Sequence, residues 1–253
     1  MVKNLIKRVF EIAGYTFKKT AFLEQNYHFH TDPRYRKSGD LNPLEQLIYK
    51  YIDDDFFFIQ IGANNGKRYD PINHFITREK QFVSGIAIEP VQEYFTELQS
   101  TYKDFPSIKL LRKAIHNTNK ESTIYKVNPL KQGLEEHLKG MSSFDITNLT
   151  KDGILESDII PEIVPCLSFM DLIKIENVSK LHLLQIDAEG YDVEILKSID
   201  FKKIKPLIIN FEHRWSYNLI SDSELFNVLK TLIDNGYHIV LNGNDALAFL
   251  QES

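Results

Sequence analysis

Short, nearly continuous apolar runs alternate along this chain with segments whose apolar positions recur every three or four residues. The runs at residues 56–61, 83–88, 181–187 and 206–211 have the pattern of strands covered on both faces, as parallel strands are. Helical periodicity falls between them, near 43–51, from about 71, and over 91–102, 168–175, 191–199 and 222–235. A further strand is expected at 108–115, with 123–127 as its hairpin partner, and another at 163–167. The chain closes on two strands, 237–241 and 246–250, joined by Asn242-Gly243-Asn244-Asp245, an Asn-Gly turn that predicts an antiparallel pair. Strand, turn, helix, strand in repetition predicts an α/β fold with a doubly wound, Rossmann-like sheet.

The alternation lapses twice. Residues 128–162 carry scattered glycines and Met141-Ser142-Ser143, and read as a long insertion of the kind that is functional or mobile. Residues 1–42 read as an appendage to a domain spanning 43–253. Within it, Val2, Leu5, Ile6, Val9, Phe10, Ile12 and Ala13 share one helical face, with Lys3, Lys7 and Arg8 between them and Gly14 as a stop. Such a cationic amphipathic helix over residues 2–13 suits peripheral contact with an anionic membrane, and equally packing on its own domain or on a second copy in a homodimer. His28 and His30 have no third ligand nearby and read as ordinary histidines.

A net charge of −5 with interspersed signs argues against nucleic acid as a partner. The single Cys166 excludes an internal disulfide. No apolar run approaches the length of a membrane span, about 20 residues. A cytoplasmic protein, peripheral at most to the inner face of a membrane, is expected.

Chemistry concentrates at the predicted C-terminal ends of the strands, where ligands bind in open α/β sheets. After 56–61 comes Gly62-Ala63-Asn64-Asn65-Gly66, a turn that brings backbone close to a ligand. It is neither a Walker loop nor the Gly-x-Gly-x-x-Gly of dinucleotide binders. After 83–88 stands Glu89, placed to accept both hydroxyls of a ribose, whether of a dinucleotide or of S-adenosylmethionine. The third strand ends at Ala114-Ile115-His116-Asn117, which would flank an adenine ring. The fourth ends in Asp187-Ala188-Glu189-Gly190, with Asp187 facing the pocket and Glu189 as helix cap. The fifth ends in Glu212-His213-Arg214-Trp215, where His213 could take a proton and Glu212 could orient it or bind substrate.

Ile59-Gln60-Ile61-Gly62-Ala63-Asn64-Asn65-Gly66, Glu89-Pro90 and, most specifically, Leu184-Gln185-Ile186-Asp187-Ala188-Glu189-Gly190-Tyr191-Asp192 resemble the FkbM-type S-adenosylmethionine-dependent methyltransferases over residues 56–250. The resemblance implies a class I methyltransferase fold, with a seven-stranded, mostly parallel sheet whose last strand is antiparallel. It implies S-adenosyl-L-methionine as cofactor, with Gly62, Ala63, Asn64 and Gly66 around its methionine part and Glu89 on its ribose. It further implies that Ala114, Ser142, Ser143 and Asp187 contact the cofactor. Many members have Asp at the position of Gln60 and Lys at that of Gln185. The implied reaction is in-line methyl transfer to a hydroxyl of a sugar or glycan precursor, with Asp187, His213 or Glu212 assisting the proton. A divalent metal between Asp187 and Glu212 is compatible with the pattern but not expected. The competing readings are an NAD-dependent sugar dehydrogenase or epimerase, whose Tyr-x-x-x-Lys pair is missing, and a non-catalytic nucleotide-binding scaffold.

Overall fold

The run Phe56–Ile61 (β1) alternates Phe, Ile and Gln with almost every side chain buried, so it needs neighbours on both edges and cover on both faces. It finds Val83–Ile88 (β2) on one edge and Leu183–Ile186 (β8) on the other, both parallel. The computed structural model describes residues 43–52, 55–117, 120–135, 138–213, 220–242 and 244–250. The expected helix over 2–13, the appendage with His28 and His30, and Arg214, Trp215 and Gly243 lie outside the described residues.

The chain divides into two compact units, residues 1–50 and 51–253. Of the first, the helix Pro43–Tyr51 (α1) is described, and it ends at the start of the second. In the second unit a seven-stranded sheet runs in the order β10-β11-β9-β8-β1-β2-β3, where β3 is Ile108–Leu111, β9 Ile208–Glu212, β10 Tyr237–Asn242 and β11 Asp245–Leu250. β11 is antiparallel to both of its neighbours, β9 and β10, as the closing pair predicted. The connecting helices are α2 (Asn73–Arg78), α3 (Gln92–Thr101), α5 (Phe169–Ile175), α6 (Asp192–Lys197) and α7 (Asp222–Asp234). Ser221 and Glu224 close a reciprocal capping box at the start of α7, which fixes where that helix begins.

The third predicted strand needs correction. It breaks after Leu111, where Arg112 and Lys113 interrupt the apolar run, and Ala114–Ile115 (β4) leaves the main sheet to pair with Ile159–Leu167 (β7). Arg112 reaches Glu162 in β7 at 3.2 Å, an ion pair at the crossover. The predicted hairpin partner is Glu121–Val127 (β5), and it pairs antiparallel with β7 rather than with the third strand. β7, β5, β4 and Ser142–Ser143 (β6) form a second, four-stranded sheet. Pro161 and Pro165 are tolerated inside β7 because the positions that lack an N–H face away from β5, whereas the neighbouring Cys166 N–H donates to Lys120.

The insertion carries structure of its own. Helix α4 (Ile146–Lys151) is capped by Asp145, and Val127, Met141, Leu149, Ile154 and Ile159 bury one another in a small core. This core joins the insertion to β5 through Val127 and to β7 through Ile159.

Candidate functional site

The turn after β1 is shaped by backbone conformations that favour glycine. Gly62 sits at φ 77° and Gly66 at φ 69°, with Asn64 between them at φ 47°. Gly62 and Ala63 both donate to the Ile88 carbonyl at the end of β2, at 3.0 and 2.9 Å, so the turn is stitched to the neighbouring strand. A Cβ on Gly62 would stand 1.8 Å from the Asp187 carbonyl oxygen, so the turn after β1 passes the end of β8 with no room for a side chain. Asn65 locks the turn from below: its Oδ1 accepts from Lys67 and Arg68, and its Nδ2 donates to Glu97.

Glu89 lies under this turn, 3 % exposed. Its Oε2 accepts from the Asn64 N–H at 2.8 Å. Its Oε1 accepts from the Val91 N–H at 2.8 Å. Each oxygen keeps a second lone pair. Burial pushes the Glu89 pKa up to about 7, with the charges of Asp187 and Glu162 adding to the rise while the two N–H donors oppose it.

Two clefts meet over the strand ends. The first, about 150 Å³, is lined by Gly62, Ala63 and Asn64, by Glu89, and by the largely apolar wall of Pro90, Ala114, Ile115, Ile124 and Phe144, with Ser142 from the insertion. The second, about 480 Å³, is walled by polar groups, among them Gln185, Asn210, Glu212, Asn244 and Asp245. Asp187, Glu189, Gln185, Met141, Pro71 and Tyr69 line both. Tyr69 at the shared mouth is 72 % exposed and holds φ 54°. That left-handed conformation is uncommon for a bulky residue.

The expected site residues thus separate. Gly62, Ala63, Asn64, Glu89, Ala114, Ser142 and Asp187 gather at the first cleft, and Asp187 with Glu212 at the second. Gly66 turns away instead: its missing Cβ leaves room for Leu98 and Tyr102 of the α3 region. Ser143 is buried and its Oγ donates to the Glu189 carbonyl at 2.8 Å, a bond reinforced by Asn148 at 3.0 Å. The insertion's serine therefore holds the turn after β8 and does not face the cleft. His213 lines neither cleft. It is 5 % exposed, and burial lowers its pKa to about 4, so its imidazole is neutral and weakly basic at cellular pH. His116 stacks on Tyr191 with ring centroids 5.2 Å apart, and Asn117 donates to the Glu194 carbonyl, so both serve the start of α6.

Asp192 was not singled out by the pattern, because an acid in the first turn of a helix ordinarily answers the helix dipole. In the structure it is 1 % exposed, and its two oxygens accept from the N–H groups of Ala188 (3.1 Å) and Glu212 (3.2 Å). One carboxylate thereby fixes the β8 and β9 ends to each other. Burial first, and then the charge of Asp187, raises its pKa to about 7. Among the described residues, carboxylate oxygens of Asp187, Glu189 and Glu212 lie within 4.8 Å of one another. A hard divalent cation can accept such a grouping.

A family model described as a methyltransferase FkbM domain matches residues 60–239. No curated protein sequence matches the chain. Among solved structures, the chain is similar to a fibrillarin pre-rRNA processing protein of Methanococcus jannaschii (14 % identity, TM-score 0.38, covering 80 % of this chain and 69 % of that one). It is also similar to a methyltransferase from Pyrococcus furiosus (9 %, 0.36, 81 % and 80 %). A third is M. capricolum TrmK in complex with S-adenosyl-homocysteine (10 %, 0.40, 83 % and 67 %).

Proposed function

Since this chain belongs to the FkbM methyltransferase family, with S-adenosylmethionine as its cofactor, we propose that it methylates a hydroxyl of a sugar or glycan precursor. The sheet, with β11 antiparallel between β9 and β10, is the Rossmann-like class I methyltransferase fold. The first cleft fits the cofactor on its own chemistry. Glu89 offers two lone pairs to the ribose hydroxyls, the turn at Gly62 lets backbone reach the methionine part, and the wall around Ala114, Ile115 and Phe144 suits adenine. When bound, S-adenosylmethionine supplies an electrophilic methyl group on a sulfonium.

The observation that carries the acceptor reading is the second cleft. Its amides and carboxylates match a polyhydroxylated molecule, and Tyr69 at the mouth offers an aromatic face to the apolar side of a sugar ring. Asp187 lines both clefts and is the group we assign to the acceptor's proton, holding the hydroxyl oxygen toward the first cleft and taking its hydrogen as transfer proceeds. Glu212 and Asn210 would orient the acceptor. Family membership and the missing Gly-x-Gly-x-x-Gly weigh against an NAD-dependent dehydrogenase or epimerase. Among the described residues no helix is long and apolar enough to cross a membrane. We keep peripheral membrane contact through residues 2–13 as part of the proposal, because it would suit a lipid-linked acceptor.

The acceptor class is tested by incubating the protein with labelled S-adenosylmethionine and a panel of sugars, nucleotide sugars and lipid-linked saccharides. An alkali-stable methyl ether on a saccharide is expected. Label appearing solely on amines or carboxylates would overturn the proposal.

Glu89 gives a pH signature. Its raised pKa means that the folded, ligand-free protein keeps a proton that the unfolded chain sheds near 4.5. Its contribution to stability is therefore full below pH 4.5 and is lost as pH rises through about 7. Ribose hydroxyls donate to the carboxylate and favour its charged form. Affinity for S-adenosylhomocysteine should rise about tenfold from pH 6 to pH 8, and Glu89→Gln should flatten that rise, as calorimetry in matched buffers would read.

A further inference from the structure

A cluster of charges joins the small sheet to the start of α3. Glu162 of β7 has both carboxylate oxygens engaged: Oε1 accepts from the Gln92 N–H and from Arg112, each at 3.2 Å, and Oε2 pairs with Lys126 of β5 at 2.7 Å. The Lys126 side chain is 7 % exposed and pairs also with Glu93 in the first turn of α3. One carboxylate thus ties β5, β7 and the residue after β3 to the beginning of a helix.

The helix start that it holds is continuous with Glu89. Val91 is buried among Ala114, Ile124, Val164 and Cys166, and its N–H is the donor to Glu89 Oε1. Gln92, which Glu162 grips, is the next residue. The Glu89 N–H donates to the Leu111 carbonyl at 3.1 Å, one residue before Arg112. Both the main chain of Glu89 and one of its side-chain oxygens are therefore fixed by neighbours of Glu162's own partners.

Burying Lys126 and Glu162 adds little net stability to elements that an apolar core already joins. What the cluster adds is a controlled field. Burial opposes the charge on Glu162, but its bonds from Lys126, the Gln92 N–H and Arg112 hold its pKa below the usual carboxylate range. Burial likewise opposes the charge on Lys126, and Glu162 and Glu93 more than compensate. Two carboxylates and two cations balance, so removing any one member leaves a net charge of known sign. Around Glu89 itself, Asp187 after β8 and Glu162 on β7 both disfavour its ionised form. Tyr94 on α3 has its pKa pushed up to about 12 and stays neutral, the turn after β1 contributes the Asn64 N–H, and Lys113 lines the same cleft.

We propose that Glu162, balanced by Lys126, is a positioning residue for the carboxylate that receives the cofactor's ribose: it anchors the Val91-Gln92 segment that aims Glu89, and Glu89 works in its field. The proposal rests on the reading of Glu89 as the ribose ligand. It gives the small sheet a task beyond walling the adenine end of the cleft.

The test is titration calorimetry of the 253-residue chain with S-adenosylhomocysteine across the pH range in which Glu89 titrates. In the unaltered protein affinity should rise with pH and level off near pH 7, and Glu89→Gln should flatten the rise. Glu162→Gln keeps an oxygen for the Gln92 N–H and removes the charge, so the levelling point should fall by about half a pH unit or more. Lys126→Met removes a cation at similar length and should raise it by about as much. Arg112→Gln, at a partly exposed position, should act in the same direction as Lys126→Met and replaces it if that variant does not fold. A clamp with no electrostatic role would weaken binding at every pH with the levelling point unmoved, or move it the same way in all the variants. Either result would overturn the proposal while the Glu89 reading stands. An unaltered protein whose affinity ignores pH, or a Glu89→Gln variant that keeps the rise, would overturn both.

Discussion

Gly62→Ala should remove cofactor binding and strip the protein of about 3 kcal/mol of stability or more, the sum of a left-handed alanine and an overlap that only backbone movement can relieve. The added methyl would lie 1.8 Å from the carbonyl oxygen of Asp187, at φ +77°. Neither partner can yield cheaply. The Gly62 N–H is bonded to the end of β2, and the Asp187 N–H donates to Ile61 at 2.9 Å, so the turn after β1 and the start of the turn after β8 are each held by ladder bonds. Relief must come by pushing β1 and β8 apart at their C-terminal ends, where the two clefts meet. Melting should fall by roughly 6–12 °C, and affinity for S-adenosylhomocysteine by at least about a hundredfold. Gly133→Ala is a fair control. It also carries a positive φ, but a Cβ there meets nothing within 4 Å, so the same backbone penalty arises far from any collision. A Gly62→Ala protein that melts and binds like Gly133→Ala would show that the close approach of the two strands is not what shapes the site.

Asp187→Asn should cut turnover by about 10²- to 10⁴-fold, the range expected when a positioned general base is lost, with the cofactor's apparent affinity little changed. Asparagine preserves the shape of the side chain and its hydrogen-bonding reach, so the variant isolates charge and basicity. A second consequence separates this assignment from a general loss of structure. The Asp187 charge raises the pKa values of both Glu89 and Asp192, so removing it should move the pH dependence of S-adenosylhomocysteine binding to lower pH. His213→Asn should leave turnover within about threefold, because a buried imidazole with a pKa of about 4 is a weak base that lines neither cleft. Turnover is also expected to survive EDTA. If Asp187→Asn turns over normally, Asp187 is not the base; if EDTA abolishes activity that Mg²⁺ restores, the carboxylates of Asp187, Glu189 and Glu212 act together on a cation and not as base and positioning groups.

Much of the main sheet is legible in the sequence because its strands are covered on both faces. Phe56–Ile61, Val83–Ile88 and Leu183–Ile186 leave little but apolar side chains to read, and the turn chemistry after each is distinctive. The small sheet is hidden for the opposite reason. β5 finds its partner beyond the whole insertion, and β7 contains Pro161 and Pro165, which argue against a strand unless one knows which edge lies open. The acids and glycines at the strand ends were readable by position alone, as Glu89 and Asp187 illustrate. Two roles depend on distant neighbours and leave no local trace. Ser143 is bound to a carbonyl across the fold, and Asp192 spans two strand ends. His213 is buried and lines neither cleft, because a histidine at a strand end can face the loops or the interior, and pattern alone does not distinguish the two.

The proposed site holds S-adenosylmethionine between the Gly62 turn and Glu89. Titration calorimetry of the 253-residue chain with S-adenosylhomocysteine and with NAD, repeated on Glu89→Ala, tests this most directly. One S-adenosylhomocysteine per chain in the micromolar range is expected, with no heat from NAD and a loss of about a hundredfold or more in Glu89→Ala. Tighter binding of NAD, or S-adenosylhomocysteine binding that ignores the Glu89→Ala change, would contradict it.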